Sequence, residues 1–390
     1  MSRSKPFACV LGGVDLLRAV GLAGIPCASV SPKGALPRYS RFSEASVPWH
    51  DPSTAPEALL AGLLGFARTL DEPPVLFYQG DGDTLFISRF RHHLAPHLRF
   101  VIPEASLVED LIDKDRFQAL ARRLALPVPP STSLTPDNPP SRDMGVAFPA
   151  LVKPLARQLA VWQPLAGHAK AMQVDSFDAL MDVWRQAAGY GTSVLVQQLI
   201  PGGETRVESY HVYVDGRGKI VGAFTGRKVR TLPVRFGEST ALELTNSEDL
   251  HRLGADLVTR MGLRGVAKLD FKRDRDGALY LLEVNPRFNL WHHLGAIAGI
   301  NLPALVYADL TGTARPPVSE CLPGVGWSRP LQDLRSVRAS GESLRTWLRW
   351  TVRARARSGV AADDPLLLLA WALRRAPHWR RHPRTAGSSP

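Results

Sequence analysis

The sequence predicts a parallel α/β domain, then an α+β half, then a basic helical tail. Three observations carry this reading. Short apolar strands alternate with helical segments up to about residue 103, the arrangement of a parallel sheet. Longer antiparallel strands and a hairpin occupy 206 to 287. Positive charge gathers at the C-terminal end. At 390 residues the chain exceeds what one core usually organises, so two or three domains with a cleft between them are expected.

In order, residues 7–12 read as a buried strand and 14–23 as a helix with Leu16, Leu17, Val20 and Ala23 inward. A strand follows at 25–30, a helix at 55–70, and strands at 74–78 and 99–103. Ser106 opens a helical region running to about Leu124, and the proline-rich 126–141 segment is a connector. Strands are expected at 148–154 and 194–200, with a long antiparallel pair across 206–236. Proline and glycine punctuate 310–330, and helices are expected at about 342–357 and 365–375.

Composition is that of an ordinary globular protein, 45% hydrophobic and 22% charged. Cys9, Cys27 and Cys321 are odd in number and lack metal-ligand spacing, which fits a reducing compartment. Asp15 and Arg18 interrupt the N-terminal apolar run before it becomes a signal segment, and no run reaches the roughly 18–20 apolar residues of a membrane span. A cytoplasmic location is therefore expected. Net charge is +12; from Arg315 onward, 14 arginines against five acids leave +9.

The chemistry concentrates between Gly265 and Arg287. Ala267, Leu269 and Phe271 alternate with Lys268, Asp270 and Lys272, and Asp276-Gly277 supplies a turn. If the connecting loop has an even number of residues, parity puts Asp270 on the face of Glu283 and Asn285. Two carboxylates and an amide oxygen beside Lys268 and Arg287 suit Mg²⁺ bound to phosphates. The alternative is a hairpin with solvated charges, but Glu283 follows an apolar run, and an unpaired acid there would cost several kcal/mol.

On these residues the chain resembles the ATP-grasp superfamily, in particular its carboxylate-amine ligase-like members, over roughly 5–310. The carriers are Asp270 followed by Glu283-x-Asn285-x-Arg287. The resemblance implies a pre-domain at 1–105, a small ATP-clamping lobe at 106–193, a large lobe with the metal site at 194–315, and a helical extension at 316–390. It implies ATP and Mg²⁺, with Mn²⁺ as an alternative, held by Asp270, Glu283 and Asn285. Lys114 would face the nucleotide, Lys153 the α-phosphate and Lys228 the γ-phosphate. Gln197, Gln198, Leu199 and Ile200 would form the adenine hinge, with the Gln198 carbonyl and Ile200 amide as contacts, and Glu204 would take the ribose hydroxyls. Lys268 and Arg287 would face the transferred group. Solvated surface roles remain the alternative for Lys114 and for Arg227, Arg230 and Arg235, which could instead hold a substrate carboxylate or phosphate.

One departure is the segment after Lys153, residues 155–170, where only Gly167 stands in place of a glycine-rich lid; Arg157, Lys170 or both would substitute as cations. His292 and His293, being adjacent, cannot converge on one metal from regular structure, and capping or packing is the expected role. In the tail, Leu344, Trp347, Leu348 and Thr351 repeat at helical spacing among Arg345, Arg349, Arg353, Arg355 and Arg357, with Trp371 and Trp379 beyond. The readings are a packed helical pair with arginines outward or peripheral membrane contact; no nucleic-acid motif is present. The function expected is ATP-dependent activation of a small-molecule carboxylate as an acyl phosphate, then attack by an amine. The alternatives are a non-catalytic nucleotide-binding scaffold at a membrane surface and a kinase-like phosphotransferase.

Overall fold

A computed structural model describes residues 5–155, 159–167, 169–319 and 321–374. The chain opens with β1 (Ala8–Leu11), α1 (Val14–Gly21), β2 (Cys27–Val30), β3 (Ser43–Val47), α2 (Pro56–Ala67) and β4 (Val75–Tyr78), followed by α3 (Asp81–Arg89) and α4 (Arg91–Leu94). The four strands form a parallel sheet in the order β3-β2-β1-β4. All residues of β1, β2 and β4 are buried, as expected of strands covered on both faces. The strand expected at 99–103 does not form. Only Arg99 bridges to Val75, and Pro103, which has no N–H to donate, follows before the next helix begins.

The helical region expected from Ser106 is two helices, α5 (Ala105–Ile112) and α6 (Lys114–Arg123). Asp113 leaves the helical conformation between them and caps α6, its carboxylate accepting the Arg116 N–H at 2.9 Å. A second sheet contains β5 (Ser131–Leu134), β6 (Ala150–Pro154), β7 (Met172–Val174) and β8 (Val194–Gln198) in the order β5-β8-β6-β7, all antiparallel. Helices α7 (Leu159–Ala166) and α8 (Phe177–Gly189) complete this unit, where Val152, Val174, Leu180, Val194 and Val196 make a separate core.

The largest sheet is built from β9 (Val207–Val214), β10 (Ile220–Leu232), β11 (Glu238–Thr245), β12 (Gly265–Arg273) and β13 (Leu279–Asn285), with α9 (Glu248–Arg260) between β11 and β12. After α10 (Trp291–Ile297) and α11 (Leu302–Thr311), the tail adds β14 (Gly326–Ser328), α12 (Pro330–Ser340), α13 (Leu344–Arg353), β15 (Ala356–Arg357) and α14 (Pro365–Leu373). The order is β13-β12-β9-β10-β11-β14-β15. The tail is thus not wholly helical: it contributes two edge strands, and the helix expected over 342–357 stops at Arg353 because the chain turns to pair Ala356 with Trp327. α9 and α12 were not read from the sequence.

A common core joins the first sheet to the region after β13. Phe77 and Tyr78 of β4 meet the Phe288 ring edge-on at 5.1 and 5.7 Å, and Trp291, Leu294, Leu302 and Leu305 continue the same cluster. Asp15 of α1 is the polar anchor of this junction. Its carboxylate meets His293 Nδ1 at 3.3 Å, Trp327 Nε1 at 3.0 Å and Ser358 Oγ at 2.6 Å. Burial alone would raise the Asp15 pKa, but these bonds and the charge of His293 hold it below the usual carboxyl range. His292 is also buried, with Nδ1 against the Asn289 backbone.

No single helix among the described residues is long and apolar enough to cross a membrane. Asp15→Ala removes the anchor and leaves buried His293 and Trp327, and part-buried Ser358, without their acceptor. Urea unfolding at neutral pH is expected to show a loss of about 3 kcal/mol. Because the folded carboxyl is depressed, its contribution is present above the ordinary Asp pKa and is lost as pH falls through the folded-state value, so wild type and variant converge in acid.

Candidate active site

Strand pairing at β12 decides which side chains meet. Lys268 faces Asn285, Leu269 faces Val284 and Asp270 faces Glu283; the register then jumps to Phe271 with Leu281, leaving Leu282 as an extra residue. The connecting turn, 274–278, has five residues, so the even-length condition for parity is not met. A regular ladder from that turn would set Asp270 opposite Leu282 and drive Glu283 and Asn285 to the other face. The bulge at Leu282 restores them. Gly277, at φ +92°, makes the turn possible.

Ala267, Leu269, Phe271, Leu281 and Val284 enter the core behind the sheet, which leaves Lys268, Asp270, Lys272, Glu283 and Asn285 on the cleft face. Asp270 is 4% exposed, accepts from Ser209 Oγ and pairs with Lys268 Nζ at 2.5 Å. Lys268 thus neutralises Asp270 here, and neither charge is left alone in a half-dry site. Glu283 lines the open cleft and is reached by solvent although protein crowds it. Desolvation opposes its ionisation, but Lys268, the bond with Asp270, Lys170 and Asn285 together hold its pKa below the usual range.

Asn285 Nδ2 donates to Glu283 Oε1 at 3.1 Å, and Arg287 Nη2 donates to Asn285 Oδ1 at 2.9 Å. Arg287 Nε in turn donates to Asp81 Oδ1 at 2.5 Å, from the first turn of α3. A relay therefore runs from the carboxyl edge of the parallel sheet to the acid cluster. The donor set is all oxygen, as a hard cation requires, and two carboxylates with one amide leave most of an octahedral shell for phosphate oxygens and water. These residues fit Mg²⁺ held jointly with a nucleotide.

The second sheet presents Lys153, whose Nζ donates to Gln197 Oε1 at 2.8 Å. Gln197 is buried, and its side chain positions Lys153, because both residues point to one face of the β6–β8 pair. Lys114 Nζ donates to the carbonyls of Pro154 and Leu155, beside Lys153. Burial pulls Lys153 down to about 8; Glu283 opposes the shift, and the cations Lys114 and Lys228 add to it. Glu283 and Lys153 belong to different sheets, so this coupling spans the cleft.

At the hinge, Gln198 N donates to Pro130 O at 2.8 Å and Leu199 N to Pro149 O at 3.0 Å, while the Ile200 N–H finds no partner among the described residues. Lys272 Nζ, which the sequence reading left without a role, ties the hinge down through the carbonyls of Gly202 (2.8 Å) and Gly203 (2.6 Å). Glu204 accepts from Phe236 N at 3.2 Å and lies 4.0 Å from Lys228 Nζ. Lys170 shares electrostatic surroundings with Glu283, Lys228 and Lys268, and burial lowers its pKa first. Arg157 lies outside the described residues.

Three arginines read as substrate-binding candidates are engaged elsewhere. Arg227 pairs with Glu243 at 2.9 Å on the face away from Lys228. Arg230 is buried against Asp333 and Glu342 after a register shift in β10, and Arg235 donates to Gln173 at 2.7 Å. Gly226 faces Ser209 on the cleft side, and a Cβ there would sit 2.4 Å from the Trp291 ring, so only glycine admits that tryptophan. Asp81, Ser209 and Lys272 escaped sequence reasoning; the usable signal for Asp81 was its place just past a buried parallel strand, where open α/β sheets bind ligands.

A family profile described as "ATP-grasp in the biosynthetic pathway with Ter operon" matches residues 192–325. Among solved structures, an N5-carboxyaminoimidazole ribonucleotide synthetase in complex with ADP superposes with a TM-score of 0.63 at 15% identity, covering 87% of each chain. The L-amino acid ligase of Bacillus licheniformis gives 0.60 at 17%, covering 84% of this chain and 79% of that one. The chain has the ATP-grasp fold. It is also 24% identical to the D-aspartate ligase of Enterococcus faecium over 242 residues, 59% of this chain and 57% of the relative. A D-alanine–D-alanine ligase of Alkalilimnicola ehrlichii is 29% identical over 183 residues, 45% and 55% of the two chains. The chain spans just over half the length of these curated relatives.

Burial gives Lys153 a charge that depends on pH in the ordinary range. Its ammonium is lost as pH rises through about 8, and a phosphate bound beside it would lose that partner. ATP affinity is expected to fall up to about tenfold per pH unit above that point. Calorimetry in buffers of different ionisation enthalpy should register proton uptake on binding near pH 8 to 9. Lys153→Arg, which stays charged, should flatten the profile.

Proposed function

We propose that the protein is an ATP-dependent ligase that activates a small-molecule carboxylate as an acyl phosphate and joins it to an amine, releasing ADP and phosphate. The observation that carries this is the convergence on one cleft of Asp270, Glu283 and Asn285 from the large sheet with Lys153 from the small one. Oxygen ligands for a phosphate-bound cation and cations for the phosphates themselves are what phosphoryl transfer needs; positioning and charge stabilisation dominate that chemistry.

In this reading Asp270, Glu283 and Asn285 would hold Mg²⁺, for which Mn²⁺ could substitute, and the ion would supply charge neutralisation for the phosphates. Ile200 and Gln198 bind adenine through the backbone, Glu204 the ribose, and Lys114, Lys153 and Lys228 the phosphates. Lys268, which pairs with Asp270, and Arg287, held by Asp81, would face the transferred group. The substrate carboxylate oxygen attacks the γ-phosphorus and ADP leaves. The amine then attacks the acyl carbon, and phosphate departs with the former carboxylate oxygen. A cytoplasmic setting, where ATP and small carboxylates are available, is part of the proposal.

The ligases among the relatives support this reading over a scaffold with a degraded site, and so does the complete oxygen set. The test is ADP release in pools of carboxylic acids and amines. Release should require one of each, and ¹⁸O in the carboxylate should appear in the phosphate released. Glu283→Gln should lower turnover by about 10²- to 10³-fold. Asp81→Asn should lower kcat about tenfold with little change in KM for ATP, because it loosens Arg287 and not the nucleotide pocket. ATP binding without acid-dependent ADP release would sink the ligase reading, and a phosphorylated product retaining the label would assign a phosphotransferase.

A further inference from the structure

The C-terminal helices carry an apolar surface that the catalytic reading leaves unused. Trp347 and Trp350, at helical spacing with the leucines of α13, turn inward; Trp350 sits against Gly326, with the Arg230 guanidinium 5.6 Å from its ring centroid. What faces solvent is Leu344, Leu348 and Val352, four residues apart, beside a parallel row of Arg345, Arg349 and Arg353. On α14, Leu366, Leu369 and Leu373 make a second exposed ridge. These six side chains are from 43% (Leu373) to 68% (Val352) exposed, and a folded protein rarely offers so many large apolar groups to water without a use for them.

The charges around the ridges are one-sided. Asp333 and Glu342 pair with Arg230, and Asp363 and Asp364 pair with Arg18, so every acid from 333 to 374 faces an internal arginine. Arg345, Arg349, Arg353 and Arg355 have no ion-pair partner among the described residues. The sequence beyond α14 adds Arg375, Arg380, Arg381, Arg384 and Trp379 and no acid.

We infer that α13 and α14 form a peripheral docking surface for an anionic lipid bilayer. Leucines on a helix whose neighbouring row is arginine enter the headgroup boundary while the guanidinium groups meet lipid phosphates. Neither helix is long enough to span, so the contact is parallel to the surface. A two-fold contact between copies through α13 would set arginine rows against each other, and the exposed acids Glu342 and Asp363 are already paired with Arg230 and Arg18, which disfavours a second copy as the occupant.

The test is flotation of the full chain with vesicles, without nucleotide, so that it is independent of the ligase reading. Wild type should float with vesicles containing phosphatidylglycerol and remain behind with phosphatidylcholine alone. Leu348→Glu should lower partitioning at least tenfold, and each of Arg345→Gln and Arg349→Gln about fivefold. All three positions are exposed, so melting curves should match wild type. Failure of wild type to bind anionic vesicles, or equal binding by Leu348→Glu, overturns the inference. So does a doubling of solution mass that Leu348→Glu abolishes, which would give the face to a second copy.

Discussion

The arrangement of this molecule depends on the pairing of β12 with β13. Side chains alternate across a strand, so one residue of slip sends every cleft-facing group into the core. The five-residue turn alone would produce that slip, and the extra residue at Leu282 cancels it. Leu281 and Val284 can then both be buried on the far side while Glu283 and Asn285 stand opposite Asp270 and Lys268. The irregularity lies where the strand must change from serving the core to serving the cleft, as bulges beside active sites commonly do.

A second constraint comes from outside the clamping sheets. The parallel sheet shares a core with the segment following β13, and Asp81 at its carboxyl edge holds Arg287. The guanidinium is thereby fixed by two partners, Asp81 and Asn285, and neither its position nor that of Asn285 is independent of the N-terminal domain. Asp15 reinforces the same junction from α1 by binding α10, β14 and the residue after β15. The tail closes the sheet edge and ties it back to the first domain through Arg18.

The parallel domain, the antiparallel half and the hairpin were legible because their signals are local: fully apolar strands, alternation around Asp270, and a turn at Gly277. The bulge was not, since nothing in the run of Leu281 and Leu282 says which leucine the partner strand will match. Gln197 looked like a hinge residue and proved to be the partner of Lys153, a contact set by the pairing of β6 with β8. Arg227 and Arg230 looked like ligands because they flank Lys228, but strand alternation and a register shift turn them to the opposite face. Asp81 lies 206 positions from Arg287, and only the shared core brings them together. In the tail, the spacing of α13 was readable, but which of its two apolar rows meets the protein depended on Arg230 and Gly326, far away in sequence.

The proposed function places a metal–nucleotide site at Asp270, Glu283 and Asn285. The most direct test is anomalous diffraction from crystals grown with Mn²⁺ and a non-hydrolysable ATP analogue. The account predicts a Mn²⁺ peak coordinated by Asp270 and Glu283 and bridging to the β- and γ-phosphates, with adenine against Ile200. A nucleotide bound elsewhere, or Mn²⁺ coordinated without those carboxylates, would contradict it.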